Sequence, residues 1–278
     1  MSVQLSDFDW IVIPRHPSRE AWIGRLAEAA AAAGRAVHDW DAAQTEAENP
    51  GTLMLTALAD VARAYQPDAS RVAAIDADLD VVLADDLPQQ ERHEEMRRQT
   101  DGFAQVAALP HGRRFGRTAF GPSAEILPGL HLTAPAPAPA GPLKHAMSIF
   151  TSGESQWAPE IFSRNARQLE QGEGFGIDLT GRPRILLFGP YVVMPAGTWT
   201  ARFQVAFDGY AARYLYRMDW GGVEQYASHE LRPGKPGVYE FEMTFDWVDR
   251  GPAEFRILVL EGVFHGELTL SPVDIRSA

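Results

Sequence analysis

From about residue 182 onward, apolar side chains recur at every second position, which constrains the fold more than any other feature of the chain. Trp199, Ala201, Phe203, Val205 and Phe207 alternate with Thr200, Arg202, Gln204 and Ala206. Tyr214, Tyr216, Met218 and Trp220 repeat the pattern, and Tyr239, Phe241, Met243, Phe245 and Trp247 alternate with Glu240, Glu242, Thr244 and Asp246. Side chains of an extended chain point to opposite faces in turn, so each run predicts a strand with one buried face. Residues 255–260, FRILVL, are apolar on both sides except for Arg256 and suit a more central strand, and Leu268 and Leu270 supply the last one. Pro195-Ala196-Gly197, Asp208-Gly209, Gly221-Gly222, Pro233-Gly234 and Arg250-Gly251-Pro252 separate the runs. Short strands with turn formers at this spacing predict an antiparallel sandwich or barrel.

The first half follows another rule. Residues 8–13, FDWIVI, are a short apolar run stopped by Pro14 and predict a buried strand. Ser18 is placed to cap a helix running to Arg35, on which Trp22, Leu26, Ala29, Ala30 and Ala33 share one face. Ala36–Trp40 predicts a second strand. A second helix is expected after Pro50 and Gly51, with Leu55, Leu58, Ala62 and Tyr65 on one side and Gln66-Pro67-Asp68 as its stop. Residues 71–76, RVAAID, predict another buried strand, and residues 89–108 a third helix. Strand and helix in alternation favour parallel pairing with helices on the faces. Alternating Ala and Pro in 133–142, TAPAPAPAGP, removes backbone donors and holds the chain extended, either as a spacer or as an ordered strap. The expected organisation is therefore an α/β domain over 1–132, a linker over 133–142, and an antiparallel jelly-roll β-sandwich over 143–278 that begins with a wrapping segment.

The formal net charge of −12 repels phosphate backbones and anionic membranes, which argues against a nucleic-acid partner. The absence of cysteine removes disulfides, thiolate metal sites and a Cys nucleophile. No basic segment followed by an apolar one opens the chain, and no apolar run approaches the ~20 residues of a membrane helix, so a cytoplasmic location without a transmembrane segment is expected. HExxH, GxSxG, GxxxxGK[ST] and GxGxxG are all missing. Gly172-Glu173-Gly174-Phe175-Gly176 is glycine-rich but does not lie between a strand and a helix.

Two places in the first half invite chemistry. Asp76-Ala77-Asp78, with Asp80, follows the apolar run VAAI, and carboxylates at a strand's carboxyl end can hold a divalent cation against a diphosphate. This segment resembles the DxD motif of nucleotide-sugar glycosyltransferases, which implies Mg²⁺ or Mn²⁺ at Asp76 and Asp78; Asp85 and Asp86 add charge nearby. Arg113, Arg114 and Arg117 form a basic island able to grip phosphate. The plainer reading is a solvated acidic loop or helix cap, with the arginines answering the carboxylates inside the molecule.

In the second half, Tyr191, Tyr210, Trp220, Tyr226 and Trp247 fall near strand ends or turns, with Asp219, Glu224, Gln225 and His229 close by in sequence. Sugars stack their C–H faces on such rings and bond their hydroxyls to such polar groups, while rings along the strand faces serve packing. The stretch Phe188–Phe207, FGPYVVMPAGTWTARFQVAF, together with AEFRILVLEG and GELTLSPVDI, resembles the carbohydrate-binding-module-like jelly-roll sandwiches of bacterial glycan-synthesis proteins. That resemblance implies a glycan or oligosaccharide ligand without a cofactor, held at Tyr191, Tyr210, Asp219, Trp220, Tyr226 and Trp247, in an accessory protein that works beside a glycan-synthesis enzyme. Two other readings stand beside it: a compact metal-dependent glycosyltransferase, and a non-catalytic scaffold.

Overall fold

A computed structural model describes residues 4–42, 51–81, 83, 87–137, 143–165, 168–171 and 174–278. Asp85, Asp86 and part of the glycine-rich stretch at 172–176 lie outside the described residues, as do residues 138–142 of the Ala-Pro segment. The chain divides into two compact units, Met1–Val82 with Arg98–Lys144, and Leu83–Arg97 with His145–Ala278.

In the first unit, β1 (Asp9–Val12), β2 (Val37–Asp39), β3 (Leu53–Thr56), β4 (Val72–Ile75) and β5 (Arg114–Phe115) form one parallel sheet in the order β2-β3-β1-β4-β5. Two helices and part of a third accompany it: α1 (Arg19–Ala32), α2 (Ala59–Tyr65) and the residues of α3 (Gln89–Ala107) from Arg98 onward. The near-continuous apolar strands are explained by burial of both sheet faces. Ile11, Ile13, Leu53, Leu55, Ala73 and Ile75 pack with Trp22, Leu26 and Ala30 of α1. The alternate residues Trp10, Val12, Met54, Val72 and Ala74 pack with Ala59 and Ala62 of α2 and with Val106 and Leu109. A hairpin of β6 (Ala124–Leu127) and β7 (Leu130–Leu132), turning at Gly129 with φ 72°, adds to the first cluster.

The sequence expectation misplaced one helix here. Leu55 and the residues before it form β3 and lie between β1 and β2, so only Ala59–Tyr65 is helical. Leu55, Leu58, Ala62 and Tyr65 happen to share helical spacing, but LMLT is buried on both faces, and sheet pairing to β1 outweighs that coincidence. Ser18 does stand at the N-cap of α1, yet its hydroxyl makes no cap bond. Part of the Ala-Pro segment is an ordered strap: Ala134 packs on the core of this unit, and Arg117 donates to the Pro135 carbonyl at 2.9 Å.

The second unit is an antiparallel β-sandwich. Its strands are β8 (Glu154–Trp157), β9 (Ser163–Arg164), β10 (Gln168–Gln171), β11 (Gly174–Asp178), β12 (Arg184–Met194), β13 (Gly197–Phe207), β14 (Tyr216–Gly222), β15 (Tyr226–Leu231), β16 (Gly237–Trp247), β17 (Gly251–Val259), β18 (Glu267–Leu270) and β19 (Val273–Ser277). One sheet runs β10-β11-β18-β13-β19-β8 with β16 on the other side of β13, and the second runs β15-β14-β17-β12-β9. The period-two faces meet between the sheets. Trp220 of β14 is 0% exposed, lies edge to face with Trp157 of β8 at 5.6 Å and Trp247 of β16 at 5.2 Å, and donates its indole N–H to the Trp199 carbonyl at 3.1 Å. Phe203 and Phe255 meet from opposite sheets at 4.6 Å.

Trp220→Ala should therefore destabilise the sandwich by about 4 kcal/mol, the cost of emptying a packed aromatic site. Urea unfolding of the full chain, followed by circular dichroism, reads this directly; a loss below about 1 kcal/mol would show that Trp220 does not organise the core.

Candidate functional site

The sequence-predicted residues fall into three groups. At the carboxyl edge of the α/β sheet, Asp76 and Asp78 are each met by an arginine. Arg114 donates to Asp76 Oδ2 at 2.8–3.0 Å. Arg117 donates to Asp78 Oδ1 at 2.7 Å and also to its Oδ2, and the Trp22 indole N–H adds a bond to Asp78 at 3.4 Å. Asp78 sits in the left-handed region with φ 61°. Burial by itself would raise its carboxyl pKa, but the Arg117 hydrogen bonds and charge outweigh burial and hold it below the ordinary carboxylate range. Two of the three arginines of the basic island are thus spent on the two carboxylates. Among the described residues no cluster of three or more His, Asp or Glu side chains forms a metal site.

His16, on the loop after β1, is the residue here that sequence reasoning missed. It is 8% exposed, and neither ring nitrogen has a hydrogen-bond partner. Burial lowers its pKa from 6.5 to about 4; the Asp78 charge opposes the shift and Arg19 reinforces it. No spacing rule could have marked a lone histidine between two prolines.

The second group lies on the face of the five-stranded sheet that points away from the core. Asp219 is 0% exposed and pairs across the strands with Arg256 at 2.6 Å and Ser228 at 2.6 Å, with Arg217 at 3.1 Å. Arg256 lies over the Tyr226 ring at 3.9 Å. Tyr191 donates to Glu254 Oε1 at 2.8 Å, and the Tyr226 hydroxyl donates to the other oxygen of the same carboxylate. Burial, then the bond to Glu254, pushes both phenol pKa values up. Tyr191 adopts φ 67°, costly for a bulky side chain, and its hydroxyl is anchored on the buried Glu254. His93 lies against the Tyr191 ring at 4.4 Å and shares a 2.6 Å hydrogen bond with Ser163. Glu254, Arg256 and His93 were not singled out in sequence; Glu254 and Arg256 read there as ordinary strand residues. The network joins Tyr191, Asp219 and Tyr226 and satisfies their polar groups internally. Trp220 and Trp247, by contrast, belong to the core, because their strands turn those rings between the sheets.

The third group keeps a ring free. Tyr210, on the loop after β13, is 51% exposed and stands edge to face with His265 at 4.6 Å. The adjacent Phe264 is 93% exposed, and the Arg213 guanidinium lies over the Tyr210 ring at 5.5 Å. Asp208 fastens the two loops together: its carboxylate accepts the backbone N–H groups of Tyr210 at 2.9 Å, Ala211 at 2.6 Å and Glu267 at 3.1 Å. Gly266, at φ 148°, lets the loops close, since a Cβ there would come within 2.9 Å of the Ala211 nitrogen. Tyr210 was legible as a turn residue. Phe264 and His265 were missed, although a large apolar ring in a glycine-flanked loop is itself a signal.

A shallow polar groove of about 590 Å³ lies elsewhere on the sandwich, lined by His145, Ser155, Gln156, Asp274 and Arg276 among others. It adjoins a second hollow of about 340 Å³ that shares Gln156 and Asp274.

No family model and no curated protein matches the sequence. Solved structures similar to the C-terminal half include carbohydrate-binding modules at low identity. TmCBM61 in complex with β-1,4-galactotriose is 13% identical, with 46% of this chain and 84% of that one covered and a TM-score of 0.30. The C-terminal CBM6 of LamC from Zobellia galactanivorans is 14% identical, with 45% and 99% covered and a TM-score of 0.30. A family 35 carbohydrate-binding module from Clostridium thermocellum is 12% identical, with 46% and 100% covered and a TM-score of 0.30.

His16 gives a pH-dependence with a definite sign. Between pH 4 and 6.5 the unfolded histidine binds a proton that the folded one refuses, so stability falls as the pH drops through this window. The loss should be on the order of 3 kcal/mol, and His16→Leu should flatten it. Denaturant titrations of both proteins across this range measure the difference; parallel profiles would show that His16 is not buried neutral.

Proposed function

We propose that this protein binds glycans through its β-sandwich, at the loop end formed by Tyr210, Phe264 and His265. The observation that carries the reading is a rigid pair of loops holding two exposed rings, Tyr210 beside Arg213 and Phe264 next to His265. Exposed rings on a fixed backbone offer a flat apolar surface to the C–H face of a sugar at little ordering cost, and Arg213 and His265 supply hydrogen bonds to hydroxyls. A shallow, open platform of this kind suits a carbohydrate chain better than a small enclosed molecule. The Tyr191–Glu254–Tyr226 network contributes rigidity to the neighbouring sheet, since its polar groups already satisfy one another. The setting in bacterial polysaccharide or glycoconjugate synthesis, with a synthesis enzyme as partner, follows from the sequence resemblance of Phe188–Phe207. Among the described residues no helix is long and apolar enough to cross a membrane.

Electrophoresis of the full chain through gels containing soluble polysaccharides tests the proposal. Retardation by at least one neutral polysaccharide is expected. The double variant Tyr210→Ala, Phe264→Ala should weaken it by about tenfold or more. Both rings are exposed at the loop end, so unfolding stability should stay within about 0.5 kcal/mol of the parent. Equal retardation of parent and variant would remove the loop end as the site.

A further inference from the structure

The α/β unit holds a cavity of about 280 Å³ at the carboxyl ends of its parallel strands. The chain leaves β1 for β2 at one edge of the sheet, and leaves β3 for β4 on the opposite side of β1. Connections that diverge in this way open a crevice beyond the strand ends, where open α/β sheets take their ligands. Arg15 reaches the cavity from the loop after β1, Asp41 from the segment after β2, and Ala57 and Leu58 from the turn after β3, while Arg98 and Gly102 line it from α3.

The charges of this rim are unevenly matched. The Asp41 carboxylate is already occupied: Oδ1 accepts from the Thr56 hydroxyl at 2.9 Å, and Oδ2 accepts from the Ala57 N–H at 2.8 Å and from Arg19 at 3.5 Å. Arg114 and Arg117 are paired to Asp76 and Asp78. Arg15 is exposed and has no carboxylate partner among the described residues. Arg15 therefore lines a cavity whose one carboxylate is neutralised by Arg19, in a chain with a formal net charge of −12. An unmatched guanidinium at a concave site of an acidic protein suits an anion. A guanidinium matches phosphate oxygens in bidentate fashion, and Ala57, Leu58 and Gly102 offer room for a small uncharged body.

We infer that this cavity binds a small phosphate ester, with Arg15 gripping the phosphate. This places phosphate recognition away from the Arg113, Arg114 and Arg117 island weighed in sequence, where Arg114 and Arg117 are committed to Asp76 and Asp78, and at an arginine that is not. The inference is independent of glycan binding by the sandwich.

Thermal unfolding and calorimetric titration of the full chain with glucose 1-phosphate, inorganic phosphate and acetate test it. Glucose 1-phosphate should raise the melting temperature, inorganic phosphate should do so more weakly, and acetate should have no effect. Arg15→Ala should melt like the parent without ligand and bind glucose 1-phosphate about tenfold more weakly or worse. Gly102→Leu keeps both arginines and fills the space, and should also abolish binding; at Gly102 an added Cβ meets only ordinary contacts, the nearest being the Ala57 carbonyl oxygen at 3.5 Å. No stabilisation of the parent by either phosphate compound, or equal affinity in the parent and Arg15→Ala, would overturn the assignment.

Discussion

Trp220 sets the terms for the rest of the sandwich. Its indole spans the space between two sheets, touching Trp157 and Trp247 by their edges and bonding the Trp199 carbonyl of the opposite sheet. An aromatic ring brings a large buried area, and the single N–H must find an acceptor when water is excluded. Both conditions are met only when β14 turns Trp220 toward β13 and β16 of the opposite sheet, which fixes the register of β14 with β15 and β17. A shift by one residue would turn Asp219 inward and Trp220 outward.

The same register explains how the polar residues are used. With Trp220 inside, Asp219 faces the other way and aligns with Ser228 on one neighbouring strand and Arg256 on the other. A carboxylate with no exposure is tolerable only when paired and hydrogen-bonded, and those cross-strand partners supply this. The α/β unit treats its acidic stretch in the same way, setting Arg114 against Asp76 and Arg117 against Asp78. The groups left over are the rings of Tyr210 and Phe264, which no strand carries inward, and the Arg15 side chain, which meets no carboxylate among the described residues.

Two of these leftovers, the exposed rings, are held rigidly. Asp208 ties both loops at the sandwich end by three backbone N–H groups, so the exposed rings are held before any ligand arrives. A cost of this economy is visible at His16, which is buried without a hydrogen-bond partner near Asp78 and is therefore kept neutral. Its environment is shaped by the packing of the sheet edge and not by any bond of its own.

The period-two runs settled the sandwich in sequence, because alternation of large apolar and polar side chains is compatible only with strands buried on one side. Continuous apolar runs such as FDWIVI and RVAAI likewise announced strands covered on both faces. LMLT did not announce itself, since four apolar residues beside a real helix fit either period, and only pairing with β1 and β2 decided between them. The candidate site was less legible. Tyr191, Tyr210, Trp220, Tyr226 and Trp247 look alike in sequence as rings near turns, yet one is half exposed at a loop end, two are tied to Glu254 and two are core. Sequence by itself determined which residues alternate and therefore that the main strands of the sandwich form. Which rings and which charges remain unmatched was decided by the tertiary structure, because matching depends on cross-strand and loop-to-loop neighbours that lie tens of residues apart in the chain.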